Sequence, residues 1–194
     1  MRVDLYTFIH KAQRKHLFDL SVKIGRSDFR DASQVSLLKK ELRGMVARLK
    51  EHASHEETFI HPFFHKIGQQ GELIEREHHD LEILLEELEK NIDTLDQGQL
   101  YTQFNRFLAA YLTHMDDEEK AQRDILWKHF DDEALMEVMK KFRAQQTPTQ
   151  FMEDLEFLFP TLTAEEVERI LGGMKGVVPE ATYQAVSLMA KKAR

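Results

Sequence analysis

Residues 38–59 read LKKELRGMVARLKEHASHEETF, and the spacing of their apolar side chains decides the fold class. Apolar residues recur every three or four positions, which predicts one face of an amphipathic helix. Extended a few residues further, that face consists of Leu38, Leu42, Met45, Leu49, His52, Glu56, Phe59 and Phe63. His52 and Glu56 occupy positions where leucine would be expected. Buried imidazoles and carboxylates are costly unless they are paired or bind a metal.

Three other segments repeat this pattern, and each has a histidine on its apolar face. The faces are, in chain order, Val3, Tyr6, His10, Gln13, Leu17, Leu20 and Ile24; then Ile74, His78, Leu81, Leu85, Leu88 and Leu95; and finally Phe104, Phe107, Tyr111, His114, Glu118, Ala121 and Ile125. The sequence therefore predicts four helices that turn histidines toward a common core.

Local signals predict where these helices begin and end. Gly25 is expected to end the first helix, and Asp31 or Ser33 to cap the second. His61-Pro62 predicts a kink near the end of the second helix, and Gly68 a stop. The third helix is expected to end at the turn around residues 96–98.

Short connections between helices favour antiparallel neighbours, so we expect an all-α protein whose residues 1–130 form an up-down-up-down four-helix bundle. Residues 131–194 are expected to form a helical extension, packed on the bundle or on the second subunit of a homodimer. Its predicted helices start at Asp131-Asp132 and run through Phe142, start again at Thr147-Pro148-Thr149, and finally cover 165–171. Gly172-Gly173 is expected to end the last of them.

Composition excludes several classes of protein. The formal charge is −7 and there is no long basic run, so we expect no nucleic-acid partner. The absence of cysteine excludes disulfides, thiol catalysis and cysteine-bound iron–sulfur clusters. The N-terminus has no signal-peptide core, and the apolar run at 107–112 is too short to cross a bilayer. We therefore expect no membrane partner and a cytoplasmic location.

The histidines and glutamates on these apolar faces are candidate metal ligands. Residues four apart on a helix lie roughly 6 Å from each other. His52 with Glu56, and His114 with Glu118, can therefore each offer an imidazole and a carboxylate to one cavity. Two carboxylates from two helices could bridge two cations, with histidines as terminal ligands. The predicted metal ligands are His10, His52, Glu56, His78, His114 and Glu118. Iron, zinc and manganese suit such donors.

Other polar residues near these faces leave alternatives open. His79 competes with His78, and Glu82 follows His78 by four residues. His55 could orient a ligand from outside the site. At 100° per residue, His61 is expected to face away from His52, and His16, His65 and His129 are expected at the periphery. Tyr6 and Tyr111 are either core aromatics or hydrogen-bond donors to a bound ligand.

These motifs resemble the hemerythrin, or HHE cation-binding, family. The segment 52–62, HASHEETFIHP, resembles the family's H-x-x-x-E-E followed by an apolar turn and proline. Glu77-His78 resembles its E-H element, and residues 114–119, HMDDEE, resemble the closing H-x-x-x-E-E. The segment around Ile9-His10-Lys11 resembles the opening helix with its single histidine. The resemblance covers about residues 1–130.

The resemblance implies a non-haem di-iron centre that is bridged by two carboxylates and completed by five histidines. It also implies dioxygen or another small diatomic molecule as the ligand, in storage, sensing, or the handling of iron or nitric-oxide stress. The chain departs from the oxygen carriers, which have H-x-x-x-H in the third helix. Here Glu82 follows His78 by four and Ile74 precedes it by four. Glu82, His79 or His55 could complete the site.

Other functions remain open alongside this one. A di-iron oxidase or ferroxidase-like enzyme would carry E-x-x-H on two helices, and only Glu75–His78 fits that pattern. A zinc peptidase is excluded because residues 55–59 lack the second histidine of H-E-x-x-H. A helical interaction protein without metal or catalysis is the remaining alternative, and whether the protein is an enzyme stays open.

Overall fold

The computed structural model describes residues 2–67 and 71–193, and for residues 71–75 it describes the backbone only. Throughout this part of the chain the structure is helical and contains no strand, which confirms the predicted all-α class. The first half comprises α1 (Thr7–Arg26), α2 (Ala32–Phe59), α3 (His61–His65), α4 (Gly71–Asn91) and α5 (Gln97–Ala121). The second half comprises a π-helix (Gln122–Leu126), α6 (Trp127–His129), α7 (Asp132–Gln145), α8 (Pro148–Leu158), a 3-10 turn (Phe159–Thr161), α9 (Ala164–Met174) and α10 (Glu180–Lys192).

Side-chain caps start several of these helices and satisfy backbone N–H groups of the first turn, which have no partner within the helix. The carboxylate of Asp31, rather than Ser33, accepts the N–H groups of Ser33 and Gln34 at the start of α2. Asp96 forms a capping box at α5, Asp131 caps α7, and Thr147 forms a capping box at α8. Three of these caps follow the predicted starts.

Some helix ends differ from the sequence prediction. The helix α1 begins at Thr7, not at Val3, and it continues past Gly25 to Arg26. The predicted stop at Gly172-Gly173 is wrong, because α9 runs on to Met174, whose side chain is buried. The chain turns instead at Gly176, where φ is 77° and glycine is favoured. The sequence analysis did not predict α10, and Gly68 lies outside the described residues.

The four long helices of the described chain, α1, α2, α4 and α5, pack around one core. Helix α5 lies against both α1 and α4, and α2 contacts α1 and α4. Each of these helices packs its predicted apolar face into the core. Buried members are Leu17, Leu20, Ile24, Leu38, Leu42, Met45, Leu49, Leu81, Leu85, Leu88, Leu100, Phe104, Phe107 and Tyr111. Burial of these faces supplies the main driving force for the association of the helices.

A break follows α2 and redirects the chain. Helix α2 ends at Phe59, and α3 begins at His61 with Pro62 in its first turn, where a missing N–H costs nothing. The break places Phe64 and His61 in the interior. The prediction that His61 faces away is therefore wrong, because a rotation of 100° per residue applies only within one continuous helix.

The N-terminal segment is held against the π-helix that follows α5. The Gln122 side chain accepts the N–H of Leu5 at 2.6 Å and donates to Oδ1 of Asp4 at 3.0 Å. Trp127 Nε1 donates to the carbonyl of Val3 at 2.7 Å. These contacts fix the start of α1, the helix that carries His10.

The helical extension lies against the first two helices of its own chain. Its core consists of Leu155, Phe159, Val167, Met174, Val186 and Ala190. Lys11 of α1 pairs with Glu166 at 2.6 Å, and Arg48 of α2 pairs with Asp154 at 2.9 Å. Dimerisation through this extension stays a prediction.

Candidate metal centre

The six side chains predicted as metal ligands meet in the interior among the four long helices. They come from α1 (His10), α2 (His52 and Glu56), α4 (His78) and α5 (His114 and Glu118). Five of them are buried, and the side chain of His52 is 12% exposed. In each of the two His–Glu pairs, the histidine and the glutamate are one helical turn apart and therefore lie on the same helix face.

Glu118 lies between histidines of three helices. Its Oε2 atom is 3.3 Å from Nε2 of His10. Its Oε1 atom is 3.2 Å from Nε2 of both His78 and His114. The two oxygens of this carboxylate therefore face different histidines.

Glu56 divides its oxygens in the same way. Its Oε1 atom is 3.0 Å from Nε2 of His52 and 3.9 Å from Nε2 of His10. Its Oε2 atom is 3.6 Å from Nε2 of His78. Each of the two carboxylates can thus serve two cations, one through each oxygen.

Among the described residues, two groups of potential ligands emerge from this arrangement. Within each group, one ligand atom from every residue lies within 4.8 Å of the others. The first group is His10, His52, Glu56 and Glu118, and the second is Glu56, His78, His114 and Glu118. Both groups include both carboxylates, so the two candidate cation positions are neighbours that share potential ligands.

Four buried atoms that lie at ion-pair distance but make no hydrogen bond support a cation at this place. Nε2 of His10, Nε2 of His52, Oε1 of Glu56 and Oε2 of Glu118 are buried and have no hydrogen-bond partner in the described structure. These four atoms belong to the four residues of the first group, and a cation would satisfy all of them. Nitrogen and carboxylate oxygen donors fit iron, zinc and manganese.

Carboxylates outside the two groups orient two of the histidines. Glu119 Oε1 is 3.0 Å from Nδ1 of His10 and accepts from Arg14 at 2.6 Å. Glu77 Oε2 is 3.2 Å from Nδ1 of His114. A carboxylate on Nδ1 fixes the tautomer in which Nε2 is free to bind a metal. These roles were not predicted from the sequence, although the second glutamate of H-x-x-x-E-E and the glutamate before His78 were the available signals.

In the cluster, neighbouring histidines and carboxylates shift one another's pKa values toward their charged forms. Burial alone would lower the pKa of His114, but its hydrogen bond to Glu118 and the negative charges nearby raise that pKa from 6.5 to about 9. The pKa of His10 is raised well above its usual value, against burial, by Glu118, Glu119 and Glu56. Burial would raise the pKa of Glu118, yet the histidines hold it well below its usual range. The metal-free centre is thus a buried network of ion pairs.

This network predicts how the stability of the metal-free protein depends on pH. The folded-state pKa of His114 lies above its unfolded value, so its stabilisation is complete below pH 6.5 and disappears as pH rises through about 9. A shift of this size corresponds to about 3 kcal/mol. We expect the Tm of the chelated protein to fall between pH 6.5 and 9, as measured by calorimetry. The His114→Gln variant should show a smaller fall, and an equal fall would contradict the assignment.

Glu119→Ala tests the orienting carboxylates. Loss of the acceptor on Nδ1 of His10 is expected to weaken metal binding about 10–100-fold. Glu119→Gln, which keeps an acceptor oxygen, should retain more of the affinity. Isothermal titration with a divalent cation measures the effect, with Asp117→Ala on the same helix as the control. Equal affinities in Glu119→Ala and Asp117→Ala would show that Glu119 does not position His10.

The structure also shows where the residues lie whose roles the sequence left undecided. His78 is buried and His79 is exposed. Neither His79 nor Glu82 belongs to a ligand group, and His55 packs on Phe142, with ring centroids 4.8 Å apart. His61, which was expected to face away, lies beside His78 with ring centroids 4.5 Å apart. The side chains of Ile74 and Glu75 lie outside the described set.

Two buried tyrosines border the cluster. Tyr6 is fully buried beside His10, with ring centroids 5.3 Å apart, and its hydroxyl has no hydrogen-bond partner among the described residues. Tyr111 donates to Oε1 of Gln13 at 3.2 Å. Burial and the charges of Glu118 and Glu56 raise the pKa of both phenols well above 10, so both stay protonated.

The helices and the cluster together define a helical protein with an internal cation-binding site. The family model of the hemerythrin HHE cation-binding domain matches residues 1–126. The chain therefore belongs to the hemerythrin HHE family, as its motifs predicted. Neither the curated proteins nor the solved structures include a match to it. In the described part of the chain, none of the helices has the length and apolar character that a membrane span requires.

Proposed function

We propose that this protein holds a non-haem di-iron centre and binds dioxygen or a related small ligand. Residues 1–130 would form the up-down-up-down bundle that houses the metals, with 131–194 as an extension packed on it. The observation that carries the proposal is the division of the oxygens of Glu56 and Glu118 between two groups of histidines. Carboxylates that face two ligand groups are suited to bridging two cations.

Each residue has a distinct part in this proposal. Glu56 and Glu118 would bridge the metals, and His10, His52, His78 and His114 would be terminal ligands. Iron, when bound, supplies a redox-active centre with coordination positions that a diatomic molecule can occupy. Zinc and manganese are alternative cations for the same donors. Glu119 and Glu77 would hold His10 and His114 in the orientation for binding.

The surroundings of the centre favour a small ligand. The core below it is apolar, and Tyr6 beside it offers a protonated hydroxyl. A phenol in this place can donate a hydrogen bond to a bound molecule, and the fully buried Tyr6 and His10 exclude bulk water on this side of the centre. The same surroundings would limit access by a large organic substrate.

The optical spectrum tests the proposal directly. Metal-free protein would be loaded anaerobically with ferrous iron, exposed to oxygen and then degassed. We expect two iron ions per chain and a visible charge-transfer band that appears with oxygen and disappears on degassing. Failure to bind iron above the level of a Glu56→Gln/Glu118→Gln variant would contradict the proposal.

A second candidate function, oxidation or iron handling, is favoured by the composition of the ligand groups. In the described part of the chain these groups contain four histidines and two glutamates, rather than five histidines. More open coordination favours irreversible chemistry over reversible carriage. A stable ferric spectrum that persists after degassing would select this second function.

A further inference from the structure

A cavity of about 390 Å³ opens beside the metal centre on the side of His78. Four histidines and two glutamates line it: Glu57, His61, His65, His78, His79 and Glu82. These residues come from the end of α2, from α3 and from α4. Only His78 among them belongs to the ligand groups of the centre.

The lining residues change from exposed to buried along the cavity. Glu57, His65, His79 and Glu82 are exposed, whereas His61 and His78 are buried. The side chain of Glu57 is 60% exposed and that of His78 only 6%. The cavity therefore leads from solvent to a metal-ligating histidine.

His78 stands between the cavity and the centre. Its Nε2 atom is 3.2 Å from Glu118 on the inner side. Its Nδ1 atom lies 3.7 Å from Glu57, which lines the cavity, and this buried nitrogen has no hydrogen-bond partner among the residues described. One imidazole thus contacts both compartments.

The chemistry of the lining suits a divalent cation. Imidazole and carboxylate are the donors found in the centre itself, and they bind ferrous iron, zinc and manganese. The carboxylates of Glu57 and Glu82 attract cations to the opening. A polar route is needed because the centre is enclosed, with His10 and Glu118 fully buried.

We propose that this cavity is an entry site, where a divalent cation binds before it passes His78 into the centre. The entry site presupposes the metal centre proposed above. It predicts that removing exposed lining residues slows metal loading but leaves the final metal content unchanged. A role in the centre itself would instead lower the final content.

The test uses the full chain and cobalt(II) as the probe. Stopped-flow absorbance follows loading of the metal-free protein and of the variant His65→Ala/His79→Ala/Glu82→Gln. The initial rate is expected to fall about tenfold, because a cation-attracting opening raises association rates by at least that factor. His129→Ala, which removes an exposed histidine that does not line the cavity, should load at the wild-type rate.

The outcomes separate the entry site from the metal centre. Slow loading to two cobalt ions per chain supports the entry site. Loading of the triple variant at the wild-type rate overturns it while leaving the centre intact, whereas a wild-type protein that binds no cobalt overturns the centre itself. If the triple variant fails to fold, His79→Ala alone replaces it, since His79 is exposed on α4. It should load several-fold more slowly, and an unchanged rate would overturn the entry site.

Discussion

Glu118→Gln is expected to release both cations from the protein. Each oxygen of Glu118 faces a different ligand group, so one substitution removes an anionic ligand from both positions. Loss of a carboxylate that orients a ligand weakens binding by 10–100-fold, and loss of a direct ligand should exceed about 100-fold at each position. Anaerobic equilibrium dialysis followed by metal analysis measures the result.

Asp116→Asn is the matched control for this experiment. Asp116 is an exposed acidic residue on the same helix and pairs with Lys120 at 2.6 Å on the surface. It should leave two cations bound, which separates ligand loss from a general change in charge. If Glu118→Gln still binds two cations with wild-type affinity, the shared-carboxylate geometry does not hold a metal pair.

His52→Leu/His114→Leu is expected to abolish the thermal stabilisation that metal gives the protein. The two substitutions remove a terminal ligand from each group. A ligand present at 1,000 times its Kd stabilises the native state by about 4 kcal/mol, equivalent to roughly 10 °C in a protein of this size. Wild-type protein should therefore melt about 10 °C higher when loaded, and the double variant should melt at the same temperature with and without metal.

Each protein is compared with its own chelated form, because the leucines change the metal-free state as well. Removing His114 leaves the buried Glu118 with fewer partners, so Tm values across the two proteins are not equivalent. His129→Leu, at an exposed position, should keep the full metal-dependent increase. An increase in Tm with metal in the double variant equal to that of the wild type would contradict the assigned ligands.

The sequence predicted the four long helices and the meeting of the candidate ligands for one physical reason. Within an uninterrupted helix, the 3.6-residue repeat determines which side chains share a face. His52 and Glu56 lie within α2, and His114 and Glu118 within α5, so their common direction followed from spacing alone. The sequence also gave the all-α class and the family, while the metal identity and the ligand roles stay predictions.

What the sequence did not predict depends on interruptions and on contacts between helices. His61 turns inward because the chain breaks before it, at Ile60. Glu119 acquires its role only when α1 brings His10 and Arg14 to within 3.0 Å and 2.6 Å of its carboxylate. The helix α9 passes Gly172 and Gly173 because burial of Met174 offsets the low helix propensity of glycine. None of these effects is visible in the periodicity of a single segment.

The π-helix after α5 changes the direction in which the side chains that follow it point. A π turn contains one residue more than an α turn, so every side chain after Leu126 is offset from the face that carries Glu118. Deleting one residue within 122–126 would restore a regular helix and rotate the following chain by about 100° while the metal ligands keep their register. Such a deletion should lower Tm, because it displaces Trp127, whose Nε1 donates to the carbonyl of Val3. The five residues of the π-helix therefore set the direction in which the chain leaves the helix that carries Glu118, and with it the position of Trp127 against the N-terminal segment.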